Sequence, residues 1–305
     1  MSLLINVKHQ NILSLILENK RNLQKIVSEI SDFITQNTKL SIIQNPEGFP
    51  KTPFKYLFLP EKNLVFHCVS LEIWVTESDF FQNISNEFRA KNLKIVHIWQ
   101  DVWQTKRAIV QSRILSLLGL SVTIPARLTQ VRRIDKPTLD KFLTNNHLQG
   151  KTNAKLKYGL FLPNRYFRVL QNHAIAQSLS YANELLVAVA SFSNAKKIIR
   201  EGRDFRSYEL IRFANLSGFT VVGGLNKLLK NFIVEQSPDD IMTYADGDWS
   251  DGSNYEKIGF DRIEQTPPLR FEPDSQTLTR VLTEDSTKNQ TIFNAGNWKF
   301  LMKLK

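Results

Sequence analysis

The sequence has little of several residues and patterns on which particular functions depend. A single cysteine, Cys68, excludes an internal disulfide and any cysteine-rich zinc site. The five histidines include no His-x-x-x-His pair, the spacing that places two metal ligands on one helix face. No apolar run approaches the roughly 18 residues of a membrane span, and the first residues lack a secretory-signal pattern. We therefore expect a cytoplasmic protein with neither a membrane nor a metal ion as its partner.

Acidic residues are absent from two long stretches, 102–134 and 151–183, in a chain whose net charge is +11. In the second stretch, lysines and arginines alternate with Tyr158, Phe161, Tyr166 and Phe167. Basic and aromatic side chains together suit phosphate contact and base stacking, so we expect DNA as a partner. The candidate DNA contacts are Lys106, Arg107, Arg113, Arg127, Arg132, Arg133, Lys155, Lys157, Arg165 and Arg168. The alternative is a solvated basic face whose aromatic residues belong to the core.

The spacing of apolar residues predicts an α/β unit in the N-terminal half. The 305-residue length suggests about two domains. The predicted elements are a helical region over residues 1–44, a hairpin of strands 56–59 and 64–69, a helix over 78–91 with Ser78 as its N-cap, a strand over 93–99 and a helix over 105–118. We expect a helical region at 1–48, a second domain at 49–124 and a third at 125–305.

The C-terminal half shows a similar alternation of predicted strands and helices. The predicted strands are 158–162, 184–192, 207–213 and 240–245, the second of them buried on both faces. The predicted helices are 138–145, 225–234 and 253–258, and residues 266–305 are predicted to be β-rich. The expected fold class is therefore α/β (α+β).

Gly223 and Gly224 separate a predicted strand from the helix at 225–234. Unpaired N–H groups at a helix start bind anions readily, and glycine lets a ligand approach the backbone closely. The segment lacks the fuller glycine pattern of a dinucleotide site and the Gly-Lys-Ser/Thr of a P-loop. An ordinary turn between strand and helix is the alternative.

The segment Asn254-Tyr255-Glu256-Lys257-Ile258-Gly259-Phe260 follows Tyr244-Ala245-Asp246 and Trp249. It resembles the final segment of GNAT-type acyltransferases, in which a short helix ends in a Tyr-x-x-x-Gly-Phe turn. The resemblance covers about residues 127–265, including Asn145–Gly150 and the strand at 207–213. It implies a GNAT-like mixed sheet and a cofactor that is acetyl-CoA or another acyl-CoA. The implied cofactor-binding residues are Thr220, Val221, Val222, Gly223 and Gly224, although Thr220 and Leu225 differ from the family's Gln/Arg-x-x-Gly-x-Gly/Ala.

The same resemblance implies catalytic roles for three residues. Tyr255 matches the family's tyrosine that protonates the leaving thiolate, and Glu209 lies on the strand where a base would take a proton from an amine. Asp246, with Trp249, follows the next strand and would shape the acceptor pocket. The alternatives are a tyrosine packed in its helix, a salt bridge between Glu209 and Arg212, a helix cap at Asp246 and a core position for Trp249.

Residues 50–118 carry a second resemblance. The segments Tyr56–Pro60, Asn63–His67, Val96–Trp103 and Ile109–Ile114 are similar to the nuclease core of phage-type homing endonucleases, relatives of the very-short-patch repair endonucleases. Several of those enzymes carry a GNAT-like region after the nuclease core. The family's acidic residues align with Tyr56, His67 and Gln100, and Asp101 alone remains, with His97 near it. Because metal-dependent cleavage needs clustered oxygen ligands, we expect a restriction-endonuclease-like core without its metal chemistry.

Three functions follow from these patterns. The first is a GNAT-like protein that acts at nucleic acid by acyl transfer from a CoA thioester, with an inactive nuclease half. The second is a non-catalytic DNA-binding protein derived from a homing endonuclease. The third is a metal-dependent DNA endonuclease. An opening between the strands at 207–213 and 240–245 would favour the first function, and side chains that fill it would favour the second.

Overall fold

The computed structural model describes residues 21–73, 75, 77–170, 182–200, 202–274, 277, 279–284 and 291–304. The helices are α1 (21–37), α2 (Phe80–Ala90), α3 (Gln100–Thr105), α4 (Arg107–Leu118), α5 (Lys136–Asn146), α6 (Gly224–Gln236) and α7 (Ser253–Glu256). The first strands are β1 (Ile43–Gln44), β2 (Lys55–Leu59), β3 (Leu64–Val69), β4 (Lys94–Trp99), β5 (Val122–Pro125), β6 (Gln130–Arg133), β7 (Leu156–Pro163), β8 (Glu184–Phe192) and β9 (Lys196–Arg200). The others are β10 (Arg203–Asn215), β11 (Phe219–Val222), β12 (Asp240–Asp246), β13 (Asp261–Gln265), β14 (Arg270–Asp274), β15 (Thr279–Leu282), β16 (Ile292–Phe293) and β17 (Asn297–Lys303). The predicted mixed α/β class is confirmed.

The chain forms two compact units and passes between them more than once. The first unit contains residues up to Arg107 together with Ala245–Asp251 and Gln265–Trp298. The second unit contains Ala108–Tyr244, Gly252–Glu264 and the residues from Lys299 onward. The division at residues 48 and 124 predicted from the sequence follows chain order, whereas these units are discontinuous.

The first unit contains a four-stranded sheet in the order β1-β2-β3-β4. Strands β2 and β3 form the predicted hairpin, and the turn after Pro60–Lys62 ends at Asn63 with a φ of +48°. Strand β3 is buried along its whole length and pairs in parallel with β4. Helix α2 connects these two parallel strands and buries Phe81, Ile84 and Phe88. The predicted hairpin, helix and following strand are therefore confirmed, and the structure adds that β4 is parallel to β3.

Three local predictions for the first unit need correction. The N-terminal helix ends at residue 37, because residues 43–44 pair with β2 as strand β1, and residues 1–20 lie outside the described ranges. The N-cap of α2 is Asp79 and not Ser78. The helix predicted over 105–118 begins only at Arg107, since Lys106 closes the separate helix α3 with a hydrogen bond to the carbonyl of Val102.

The second unit is built around a sheet in the order β13-β17-β12-β10-β8-β7-β6, with β9 paired to β10 outside this path. Three antiparallel pairs join neighbouring strands of this sheet: β6 with β7, β7 with β8, and β8 with β10. Strands β10 and β12 pair in parallel, so their carboxyl ends point the same way. Open sheets bind ligands beyond the carboxyl ends of parallel strands, which makes this pair the first place to look for a site.

Helices cover both faces of this sheet. Leu139, Phe142 and Leu143 of α5 pack with Val189 and Ala214 on one face. On the other face, the ring of Phe232 in α6 stacks on Phe192 at 3.9 Å between centroids. Because Val189 and Phe192 both belong to β8 and are fully buried, the prediction that this strand is buried on both faces is confirmed.

The β-rich tail predicted over 266–305 is also confirmed. Strands β14, β15 and β16 form a three-stranded antiparallel sheet, and β17 joins the large sheet. Among the described residues, no helix combines the length and the apolar character that a membrane crossing requires.

Candidate active site

The parallel pair of strands in the second unit loses its regular pairing in the middle. Residues Ser207–Leu210 of β10 are in register with Asp240–Thr243 of β12, although β10 continues to Asn215 and β12 to Asp246. The register of β10 against β8 also shifts between Leu210 and Arg212. The hydroxyl of Thr243 donates to the carbonyl of Leu210 at 2.9 Å, directly at the last paired residues. We call this place, defined by Leu210, Arg212 and Thr243, the strand junction.

Tyr255 lies at the strand junction. Its short helix α7 follows Gly252, which has a φ of +75°, and the turn ends at Gly259, which has a φ of +97°. The tyrosine ring packs edge-on against Phe260 with centroids 5.5 Å apart, and the hydroxyl hydrogen-bonds with the Thr243 side chain. The Tyr-x-x-x-Gly-Phe turn therefore holds a tyrosine hydroxyl beside the end of the strand pairing.

Opposing influences act on the acidity of Tyr255. Burial is the largest and raises the pKa of the phenol, whereas the Thr243 hydroxyl and the charges of Arg113 and Arg212 lower it. The net effect is a pKa above the ordinary value of 10, so the hydroxyl carries its proton at neutral pH. A protonated phenol near two cations can donate that proton to a nearby anion.

Glu209 precedes the strand junction on β10. Its backbone is fixed, because its N–H donates to the hydroxyl of Ser193 and its carbonyl accepts from the N–H of the same residue, both at 2.9 Å. Within the described ranges the Glu209 carboxylate forms no ion pair or hydrogen bond, and the guanidinium of Arg212 donates to the carbonyl of Ile211. The alternative of a salt bridge between Glu209 and Arg212 is therefore wrong.

Asp246 and Trp249 belong to the first unit, not to the unit that holds Tyr255 and Glu209. One Asp246 carboxylate oxygen accepts from the N–H of Asp248 at 3.1 Å, and the Asp246 carbonyl accepts from the N–H groups of Trp249 and Ser250. Trp249 is only 4% exposed. These contacts show that Asp246 shapes a turn and that Trp249 is a core residue, and the catalytic role of Asp246 stays a prediction.

The predicted cofactor loop is partly a strand. Residues Thr220, Val221 and Val222 lie in β11 and pair in parallel with β5, so they do not form an open loop. The Thr220 hydroxyl is 2.8 Å from that of Ser121. Strand pairing satisfies backbone groups that an anion would otherwise use, and the cofactor-binding role of these three residues stays a prediction.

Gly223 and Gly224 do lie at the start of α6, each for a different reason. Gly223 has a φ of +77°, a conformation that favours glycine, and is exposed. Gly224 is buried, and a Cβ there would lie 3.0 Å from the Val221 side chain. The first intrahelical hydrogen bond runs from the N–H of Lys227 to the carbonyl of Gly223, so the three preceding N–H groups lack a partner within the helix.

Lys227, in the first turn of α6, is bound to backbone carbonyl groups. Its ammonium group donates to the carbonyls of Ala126 and Thr129. Burial also lowers the pKa of Lys227. The helix start therefore offers backbone N–H groups, while the lysine next to them holds the turn at residues 126–129.

Several of the predicted DNA contacts are bound to acidic partners. Arg107 pairs with Glu29, Arg132 with Glu184 and Arg133 with Glu235. The ammonium group of Lys157 donates to the carbonyls of Ala154 and Lys155. The remaining candidates lie as follows: Arg165 stacks over Tyr166, Lys106 lies near Asp101, Arg113 lies near Tyr255, and Arg127, Lys155 and Arg168 are exposed. The structure thus does not gather the ten residues into one unpaired basic surface.

The first unit brings together the positions that align with nuclease acids. Tyr56 lies opposite His67 across β2 and β3, and His67 lies opposite His97 across β3 and β4. The Nδ1 atoms of the two histidines are 2.9 Å apart. His67 Nε2 is 3.0 Å from the Thr52 hydroxyl, and His97 Nε2 is 2.8 Å from the Ser85 hydroxyl. All four ring nitrogens therefore have a protein partner.

Burial keeps both histidines neutral. It lowers the pKa of His67 well below the ordinary 6.5, helped by the neighbouring His97, and it lowers the pKa of His97 to about 3. A metal ion would have to displace one of the hydrogen bonds that each ring nitrogen makes. Among the described residues, no group of three or more His, Cys, Asp or Glu side chains is placed to hold a metal ion.

The two polar residues after β4 are also engaged by protein groups. Gln100 accepts hydrogen bonds from the Ser70 hydroxyl and the Leu71 N–H. Asp101 accepts from Nε of Arg280 at 2.7 Å, and this guanidinium stacks over Trp99. The other Asp101 oxygen is buried without a hydrogen bond. Asp101 thus acts as the partner of a buried arginine.

The structure adds residues that the sequence analysis missed. Asp248 accepts hydrogen bonds from Trp99 Nε1 and from the Ala295 N–H, both at 2.9 Å. Burial, with the nearby charge of Asp246, raises its pKa to about 7. Asp248 and Arg280 lie 149 and 179 residues from their partners, so no local pattern marks them. Thr243 was missed because it lies within an ordinary strand pattern.

Comparisons with known proteins give structural matches only. No protein-family model and no curated protein matches the sequence. An acetyltransferase from Bacillus subtilis in complex with CoA is similar over 58% of this chain and 99% of its own, with 13% identity and a TM-score of 0.33. A structure from Corynebacterium glutamicum, described as histone acetyltransferase HPA2 and related acetyltransferase, is similar over 57% of this chain and 96% of its own, with 12% identity and a TM-score of 0.34. NAA60 of Arabidopsis thaliana in complex with a bisubstrate analogue matches 58% and 99% (11% identity, TM-score 0.33).

Proposed function

We propose that the second unit is an acyltransferase that uses acetyl-CoA or another acyl-CoA and acts at nucleic acid. The observation that carries this proposal is the strand junction. There a protonated tyrosine hydroxyl lies where two parallel strands stop pairing, and Glu209, one residue before the last paired residue of β10, has a carboxylate without a partner among the described residues. The sheet order and the Tyr-x-x-x-Gly-Phe turn both agree with the GNAT resemblance.

The residues at the start of α6 fit the phosphate end of such a cofactor. Gly223 is exposed, and a Cβ built there would meet only Ala126 at 3.7 Å. The N–H groups of Gly224, Leu225 and Asn226 precede the first intrahelical hydrogen bond and would hold a phosphate. When bound, acyl-CoA would supply the activated acyl group.

The chain's own groups then provide acid and base. The Glu209 carboxylate accepts a proton from the attacking amine of the acceptor, and a C–N bond forms as the C–S bond breaks. The Tyr255 hydroxyl donates its proton to the departing sulfur, and Arg113 and Arg212 stabilise the resulting phenolate. General acid–base groups of this kind contribute about 10²- to 10⁴-fold in rate.

Nucleic acid as the acceptor is supported by exposed cations of the second unit. Arg127, Lys155 and Arg168 are exposed, and none of them forms an ion pair among the described residues. Exocyclic amines of bases are nucleophiles of the required kind.

Kinetics of wild-type and variant proteins test the catalytic assignment. Release of the CoA thiol from acetyl-CoA is measured with duplex DNA as the acceptor. We expect Tyr255→Phe, which keeps the ring packing, to lower kcat by about 100-fold or more, and Glu209→Gln, which removes the base, to lower kcat as well. The control is Tyr244→Phe, a partly exposed tyrosine of β12, which should leave kcat unchanged. Equal rates for Tyr255→Phe and wild type would refute the assignment.

A second candidate is a non-catalytic DNA-binding protein with a degenerate nuclease core. It is favoured by the first unit, where hydrogen bonds occupy every nitrogen of His67 and His97. Its signature is DNA affinity that falls steeply with salt, without thiol release. An active endonuclease is the remaining hypothesis, and it predicts nicking that needs a metal ion and disappears in Asp101→Ala. We expect no nicking with Mg²⁺ or Mn²⁺.

A further inference from the structure

Strands β9 and β10 form a two-stranded ribbon that extends beyond the large sheet. Five antiparallel pairs join them, from Ser207 opposite Lys196 to Arg203 opposite Arg200. Strand β10 pairs with β12 and β8 only from Ser207 onward. The four residues 203–206 therefore have β9 as their strand partner, and at about 3.4 Å per residue they extend the ribbon by roughly 13 Å. We call residues 196–200 and 202–206 together the β9–β10 ribbon.

The base of the β9–β10 ribbon is held firmly. The N–H of Arg206 donates to the Asp239 carboxylate at 2.7 Å, and the Arg206 carbonyl accepts from the Asp239 N–H at 3.1 Å. The guanidinium of Arg206 donates to the Tyr208 hydroxyl and to the carbonyl of Gln236. These bonds fix the direction in which the ribbon leaves the sheet.

The ribbon concentrates positive charge. The sequence from 196 to 206 contains five basic residues (Lys196, Lys197, Arg200, Arg203 and Arg206) and two acidic ones (Glu201 and Asp204). The register places Lys197 opposite Arg206. Two cations directly opposite each other destabilise a strand pair, and an anion that binds beside them removes this cost.

Two of these cations are available to a partner. Lys196 and Lys197 are exposed and form no ion pair among the described residues, in contrast to Arg132 and Arg133, which pair with glutamates. Between the cations, Ile199 is 75% exposed. An isoleucine so exposed can make apolar contact with a base edge such as the thymine methyl group.

We propose that the β9–β10 ribbon inserts into the major groove of duplex DNA. The groove is about 12 Å wide and 8.5 Å deep and admits a two-stranded ribbon. Two strands about 4.8 Å apart fit this width, and the projecting length of roughly 13 Å exceeds the depth. Lys196 and Lys197 contact phosphates at the groove edge. The inference shares nucleic acid with the proposed function but requires no acyl transfer.

The test compares two doubly substituted proteins that lose the same charge. Lys196→Gln/Lys197→Gln removes the ribbon cations, and the control Lys141→Gln/Lys230→Gln removes exposed lysines of α5 and α6. Affinity for a fluorescent duplex is measured across about 50–200 mM salt. Each lost phosphate contact lowers the slope of log K against log salt by about 1, so the ribbon variant should lose about 2 and the control nearly nothing. Dimethyl sulfate footprinting should show protection of guanine N7, which faces the major groove.

Other results would overturn the inference. These are equal slopes for the two variants, no duplex binding by the wild type, unprotected guanine N7, or ribbon-dependent binding to phosphatidylserine vesicles in place of DNA. Acetyl-CoA affinity is measured on the same proteins. If the ribbon variant binds acetyl-CoA normally but has lost DNA affinity, the ribbon acts independently of the active site. If the wild type binds DNA but not acetyl-CoA, only the proposed transferase function is refuted.

Discussion

The polar centre of the first unit and the strand junction of the second use their polar groups differently. In the first unit, His67 and His97 bond to each other and to two hydroxyl groups, so no ring nitrogen is left over. At the strand junction, the Glu209 carboxylate has no partner among the described residues, and Tyr255 lies where strand pairing ends. Polar groups that satisfy one another stabilise a fold, whereas groups left without a partner can act on a ligand. Substitutions in the first unit should therefore change stability, and substitutions at the junction should change activity.

The largest loss of stability is expected from Arg280→Gln in the first unit. Arg280 and Asp101 form a pair whose side chains are 14% and 7% exposed. Removing one partner leaves a buried charge, so we expect a loss of about 3–5 kcal/mol in the free energy of unfolding by urea. The matched control is Arg107→Gln, whose pair with Glu29 is half-exposed and should contribute at most about 1 kcal/mol. Equal effects of the two substitutions would show that the Asp101 pair is not a buried structural contact.

A smaller loss is expected from His97→Ala. The substitution removes the partner of His67 Nδ1 and of the Ser85 hydroxyl, and it leaves a cavity. An unsatisfied buried group costs about 1–3 kcal/mol, so the free energy of unfolding should fall by about 2–4 kcal/mol with acetyl-CoA affinity unchanged. His147→Ala is the control, because this histidine is only half-buried and its Nδ1 accepts from a backbone group, the Gln149 N–H. If His97→Ala were as stable as His147→Ala, the buried histidine pair would not support the fold.

The dependence of stability on pH tests the neutral state of the histidines. Their folded pKa values are below the unfolded value of 6.5, so the unfolded chain binds more protons in acid. Their stabilisation is present above pH 6.5 and is lost as the pH falls, by about 1.4 kcal/mol per pH unit for each histidine. For His97 this loss continues to a pH of about 3. Chemical unfolding at a series of pH values measures the slope.

Asp248 changes that slope in the opposite sense. Its folded pKa of about 7 exceeds the ordinary 3.8, so its contribution is present in acid and is lost as the pH rises toward 7. Between about pH 4 and 6, the contributions of Asp248 and His97 have opposite signs and cancel, and His67 leaves stability that rises with pH. Asp248→Asn should make this rise steeper. An unchanged slope would mean that Asp248 is ionised in the folded protein.

The sequence predicted those parts of the fold that depend on local patterns. A run of apolar residues predicted strand β8, which is buried on both faces. The Gly-Phe end of its turn marked Tyr255 as a candidate site residue. Contacts between distant residues were not visible. Arg280 contacts Asp101 across 179 residues, and β11, a strand that the sequence analysis did not predict, pairs with β5 about a hundred residues earlier. Pairing of this kind is decided by tertiary packing, for which a sequence window contains no signal.

Calorimetric titration with acetyl-CoA can decide whether the second unit binds the cofactor at the start of α6. We compare the wild type with Gly223→Ala and Gly150→Ala, two substitutions at exposed or half-exposed glycines of the second unit with positive φ. Both carry a similar backbone cost, of about 1 kcal/mol, but only Gly223 lies at the helix start. We predict sub-millimolar binding by the wild type and by Gly150→Ala, and at least roughly tenfold weaker binding by Gly223→Ala, a difference of about 1.4 kcal/mol. No binding by the wild type, or equal binding by all three proteins, would contradict the account.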